Sequence, residues 1–97
     1  MITFTDVTIE GDASNMFEGF GATTINASGL NVTGVTSMSK MFSDCSALAS
    51  IDGLSNWNTG SVTSMSNMFN GCKSLTTLDG LSKWDTSRVT NMSTMFN

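Results

Sequence analysis

The segment Val62-Thr63-Ser64-Met65-Ser66-Asn67-Met68-Phe69-Asn70-Gly71-Cys72 recurs along the chain. An earlier version, Val35 to Cys45, reads VTSMSKMFSDC, and a later one, Val89 to Asn97, reads VTNMSTMFN. Phe17, Phe42, Phe69 and Phe96 mark the copies at intervals of 25, 27 and 27 residues. Self-similarity at such a period is the mark of a stacked array: one unit cannot bury its apolar face, but neighbouring units can bury each other's.

Within the segment the apolar residues are Val62, Met65, Met68 and Phe69, spaced as on one face of a short helix. Thr63 is then a candidate N-cap and Gly71 a candidate terminator. The expectation is a helix of one to two turns over residues 64–70. It is too short to stand alone, since isolated helices need about 12–15 residues in water. Met38, Met65 and Met92 share one register, and Met41, Met68 and Met95 another. An adaptable Met surface or a soft-metal site would use such residues, but recurrence in register favours a structural ladder.

The other positions keep fixed offsets. Three residues after each Phe comes Phe20, Cys45 or Cys72; six after, Leu48 or Leu75; nine after, Ile51 or Leu78. Leu75 to Asp79 is the best strand candidate, with Leu48 to Asp52 its copy. Asp52-Gly53 and Asp79-Gly80 then turn the chain. The predicted core is Met38, Met41, Phe42, Cys45, Leu48, Ile51, Met65, Met68, Phe69, Cys72, Leu75 and Leu78. Residues 1–14 depart from the pattern and alternate imperfectly, as a capping strand or hairpin would. The array divides into a degenerate repeat over 15–40, repeats over 41–67 and 68–94, and the start of another over 95–97.

The run from Cys72 to Phe96, and one repeat earlier from Cys45 to Phe69, follows Cys-x-x-Leu-x-x-Leu/Ile-Asp-Gly-Leu-Ser-x-Trp-Asp/Asn-Thr-x-x-Val-Thr-x-Met-Ser-x-Met-Phe. This pattern resembles the BspA-type leucine-rich repeats of bacterial surface proteins over about residues 15–97. The resemblance implies an α/β fold: a short right-handed leucine-rich-repeat-like solenoid, each coil a short strand plus a one- to two-turn helix. It also implies an extracellular, secreted and wall-attached protein that adheres to a host protein or glycan, or else a spacer that projects another domain. It brings no catalytic residue.

Composition narrows the chemistry. Only 12% of residues are charged, and the net charge is −4 with four basic residues, which disfavours a phosphate-binding or nucleic-acid surface. There is no His, so Ser-His-Asp and Cys-His arrangements are excluded. No acid–base–nucleophile set can be assembled, and neither an enzyme nor a cofactor is expected. No apolar run reaches the roughly 18 residues of a membrane span, so no membrane insertion is expected. Cys45 and Cys72 share a repeat position and are read as buried free thiols; an inter-coil disulfide is the alternative.

Other candidates are weighed the same way. Trp57 and Trp84 could face a ligand, but Leu30 takes their place one repeat earlier, which favours a corner inside the stack. Asp52, Asp79, Asp85 and Asn58 could form a calcium ladder, against the simpler chemistry of Asx turns. Thr36, Thr63 and Thr90 could form a flat array for ice or polysaccharide, against ordinary filler and caps. The sequence stops at Asn97, immediately after Met95-Phe96, so the last coil is expected to be half built, as in a fragment of a longer array. Marginal stability or end-to-end self-association would follow.

Overall fold

A computed structural model describes residues 2–76 and 80–96. Five short strands occur among them: β1 (Ile2–Thr3), β2 (Val7–Asp12), β3 (Thr24–Asn26), β4 (Leu30–Ser37) and β5 (Ser50–Asp52). They form two parallel sheets, β1-β3-β5 and β2-β4. Ile2 pairs with Ile25 and Ile25 with Ile51, while Val7 pairs with Leu30. Isolated parallel bridges continue the order from Ser37 to Ser64 to Asn91. Successive coils thus lie on one another at about the strand spacing of 4.8 Å, and the molecule measures 30 × 30 × 22 Å.

The first coil is shorter than the second, and β4 takes up the difference with two extra residues opposite β2. Its pairing shifts twice, from Val7 opposite Leu30 to Asp12 opposite Ser37, through irregularities at Thr8/Glu10 and Gly11/Asp12. Such bulges insert residues while keeping the flanking positions paired. Residues 2–14 do not form a hairpin, because β1 and β2 pair with the next coil and not with each other. Of the two strand candidates, Leu48 to Asp52 is a strand only over Ser50–Asp52. Residues 77–79 of the other lie outside the described residues.

The expected helix-bearing, leucine-rich-repeat-like solenoid is not what forms. Among the described residues there is no α-helix, only two short 3-10 turns at Leu54–Asn56 and Leu81–Lys83. The stretch read as a helix is a run of tight turns. Met41 N–H donates to Met38 O (3.1 Å), Ser43 to Lys40 (3.1 Å) and Cys45 to Phe42 (3.4 Å). The intervening amides go to the next coil: Met38 to Ser64 O (2.9 Å), Lys40 to Ser66 O (2.9 Å) and Phe42 to Met68 O (3.0 Å). A helix over this stretch would need the Lys40 and Phe42 amides for its own i−4 carbonyls, so the stack and the helix compete for those donors.

Left-handed residues set the turns. Asn15, Lys40, Asn67 and Thr94 occupy one repeat position, with φ between 50° and 64°; Gly19, Asp44 and Gly71 occupy another, with φ of 76°, 60° and 81°. Residues 40 and 44 are each third in their turn, where a type II turn requires positive φ. Asn, Asp and Gly accept that conformation readily; Lys and Thr do so at a cost. Thr63 does not cap a helix either. Its amide (2.8 Å) and hydroxyl (3.1 Å) both donate to Thr36 O in the coil before.

The interior consists of superposed copies of the same side chains. Phe17 and Phe42 stack at 5.4 Å, Phe42 and Phe69 at 5.6 Å, and Phe69 and Phe96 at 5.7 Å. Met38, Met41, Leu48, Met65 and Met68 are fully buried around them. Backbone approach is tightest at Gly29, where a Cβ would overlap the carbonyl of Phe4; at Gly53 it would overlap the backbone of Ser28, and Gly80 repeats that relation over Ser55.

Candidate interaction surface

The corners of the coils are Asx turns. Asn31, Asn58 and Asp85 hold one position in three coils, and their Oδ1 atoms accept the amides of Thr33 (3.0 Å), Gly60 (3.0 Å) and Ser87 (2.9 Å). At another corner Asp12 and Asn91 accept from Ser14 (2.8 Å) and Ser93 (3.0 Å). The side chain and then the amide of Ser87 hold the Asp85 carboxyl below its usual range, and those of Ser14 do the same for Asp12. Asp85 and Asn58 therefore serve the turn chemistry. Among the described residues no three Asp, Glu, Cys or His side chains come together as a metal site. Of the two other rungs of the proposed carboxylate ladder, Asp52 is an exposed residue at the end of β5 and Asp79 lies outside the described residues.

Beside the Asn31–Asn58 corner runs an open groove of about 370 Å³. Its polar lining comes from Asp6, Thr8, Ser28, Asn31, Asn56 and Asn58, with Val7, Leu30 and Val32 as the apolar part. Asp6 is placed by a left-handed backbone (φ 52°), and Asn56 by the 3-10 turn that follows Gly53. The size suits a small ligand, and amide and hydroxyl groups over an apolar floor suit a neutral polyhydroxylated one. Of the groove's polar residues the sequence marks Asn58, for a different chemistry, and of its apolar ones Leu30, as a corner inside the stack. Asp6, Ser28 and Asn56 come from three different coils, so no local motif marks them.

The tryptophans lie elsewhere. Trp57 and Trp84 are buried and stacked on each other at 5.9 Å. Each indole N–H donates to a carbonyl of the preceding coil: Trp57 to Ala27 (3.1 Å) and Trp84 to Leu54 (2.8 Å). Both ends of the ring system are committed internally, which leaves no stacking platform for a ligand and corrects that candidate. The threonine array is likewise engaged, since the Thr63 and Thr90 hydroxyls donate to Thr36 O (3.1 Å) and Thr63 O (3.2 Å). Ser39 joins Ser64 (2.7 Å) and Ser66 (3.1 Å) in the same inter-coil fashion.

Cys45 and Cys72 are free thiols. Their S–H groups donate across coils, to Phe17 O (3.1 Å) and Phe42 O (3.0 Å). Burial pushes both up, Cys72 to about 11, with the neighbouring Cys45 adding to the effect. Such thiols are poor nucleophiles. Of the remaining core candidates, Met38, Met41, Phe42, Leu48, Ile51, Met65, Met68 and Phe69 are buried with Cys45, while Leu75 and Cys72 are partly buried. Leu78 lies outside the described residues.

Comparison with known families matches residues 11–97 to DUF285, described as a Mycoplasma protein of unknown function. Searches of curated proteins and of solved structures found no match. The match spans nearly the whole chain, and the protein belongs to the DUF285 family.

Proposed function

We propose that this chain is a non-enzymatic interaction module of a bacterial surface protein, whose coils present a repeated polar surface to a host protein or glycan. The resemblance of the Cys45–Phe69 and Cys72–Phe96 runs to BspA-type surface repeats supports the reading. So does the groove between the Asp6 turn, Ser28 and the Asn56–Asn58 segment, the single observation that carries it. Its amides and hydroxyls match the donors and acceptors of a sugar ring, and its open shape suits a chain passing through. Extracellular placement at the cell surface belongs to the same proposal.

The test is a binding screen of the chain against glycans and matrix proteins, repeated with Asn56→Lys and Thr8→Lys. Both side chains are exposed, so the fold should survive the changes. A hit weakened at least about tenfold by either change supports the groove. A hit unaffected by both moves the surface elsewhere, and no hit favours a spacer. The spacer reading draws on the Ser and Thr hydroxyls spent between coils, which stiffen the stack.

A further inference from the structure

We propose that the groove beside the Asn31–Asn58 corner takes an N-acetylated amino sugar and recognises it through the acetamido group, a narrowing of the glycan reading above that rests on it. The Oδ1 atoms of Asn31 and Asn58 are occupied by the amides of Thr33 and Gly60, and Asn31 Oδ1 also accepts the Thr33 hydroxyl (2.7 Å). A backbone N–H meets only the oxygen of a carboxamide, so each Nδ2 is the atom left for a ligand, and it donates. Ser28 is the reverse case. Its hydroxyl proton goes to Asn26 Oδ1 (2.7 Å), which leaves its oxygen as an acceptor. Asp6 is the only charged residue of the lining among those described, and its carboxylate also accepts.

The donors and acceptors of the groove are thus fixed in sign. A sugar hydroxyl both donates and accepts, so it fits any such arrangement and is not selected by it. A secondary amide carries one carbonyl and one N–H, and it fits where a donor and an acceptor are each supplied. The Nδ2 groups of Asn31 and Asn58 match an acetamido carbonyl, and Ser28 Oγ or the Asp6 carboxylate matches its N–H. Gly29 makes the room. It holds the repeat position of Asn56 and Lys83 without a side chain, and a Cβ there would overlap the Phe4 carbonyl. The acetyl methyl then meets the apolar part of the lining, Leu30 and Val32.

The turn does not itself require an amide. Asp85 holds the same position in the next coil, makes the same turn with a carboxylate oxygen (2.9 Å to the Ser87 amide) and stands outside the groove. Asn stands in the two coils where this side chain lines it. Acidic sugars would bring a second carboxylate to Asp6, which selects against them. An extended peptide offers the same secondary amides. Its affinity, however, comes from side-chain anchors in well-packed pockets, and here Leu30 and Val32 are buried and the groove is open.

The experiment is an NMR titration of the chain with the methyl glycosides of N-acetylglucosamine, glucose and glucuronic acid, and with N-acetylglycine methylamide as the peptide probe. Asn31→Asp and Asn58→Asp each remove an Nδ2 donor and keep the turn, as Asp85 does, and circular dichroism confirms that each variant used is folded. The N-acetylglucosaminide should bind at least about tenfold more tightly than the other three probes, and each variant should weaken it by a similar factor. Equal binding of another sugar, weakened like the first by Asn56→Lys, would leave a glycan groove and overturn the acetamido specificity. Tighter binding of the peptide probe, or N-acetylglucosaminide binding that neither Asn→Asp change weakens, would overturn it too. No binding of any probe would also overturn it, and the glycan reading falls with it only if the wider screen is empty as well.

Discussion

The rings of Phe42 and Phe69 lie parallel, at an interplanar angle of 0° and a centroid distance of 5.6 Å, although 27 residues separate them. Each ring fills the space that its neighbour leaves, and neither coil could bury its Phe alone. Phe42→Ala should therefore cost about 3–5 kcal/mol, while Phe96→Ala at the open end should cost under about 1 kcal/mol. Urea unfolding of both variants measures the difference.

The left-handed positions make a prediction of opposite sign. Lys40 has φ 57°, a conformation that Asn adopts more easily. Lys40→Asn should stabilise the protein by about 0.5–1 kcal/mol. Gly71→Ala should destabilise it by about 1–2 kcal/mol, because φ is 81° and the added methyl would collide with the Asp44 carboxylate. Thermal or urea midpoints of the pair test both signs.

These positions also show what could be read from the sequence and what could not. The period, the Phe and Met ladders and the stacking of copies were legible, because a buried ladder repeats its residue type at every turn of the stack. The local conformation was not. Apolar spacing at Val62, Met65, Met68 and Phe69 fits one helical face, yet a run of turns brings the same positions inward. The deciding event is the loss of the Met65, Asn67 and Phe69 amides to Asn91, Ser93 and Met95, which are about 26 residues away. Lys40, a good helix former, gives no warning of its left-handed backbone. The groove was illegible for a related reason, since Asp6, Ser28 and Asn56 meet only once three coils are stacked.

Trp57 occupies a closed site, and its N–H is the hydrogen-bonding partner of Ala27 O. Trp57→Phe should cost about 1–3 kcal/mol, chiefly from the carbonyl left unpaired in a buried place. The fluorescence of the parent should be blue-shifted and resist acrylamide until the chain unfolds. Emission typical of indole in water, quenched freely in the folded state, would contradict this placement.

The thiols give the pH dependence. Cys72 rises from an ordinary value of 9.0 to about 11 in the folded chain. Between those values the unfolded chain has released its proton and the folded chain has kept it. The stabilising contribution is thus complete below pH 9.0 and is lost as pH rises towards about 11. Cys72→Ser retains a donor for Phe42 O but does not titrate there. Urea midpoints at about pH 8 and about pH 10.5 should therefore fall more for the parent than for the variant.

The most direct measurement is the set of nuclear Overhauser contacts among the aromatic rings in solution. Ring protons of Phe42 should show cross-peaks to both Phe17 and Phe69, and those of Trp57 to Trp84, while residues 64–70 lack the sequential pattern of a helix. Phe42 contacts confined to its own coil, or a helical pattern over 64–70, would contradict a core built by superposed turns.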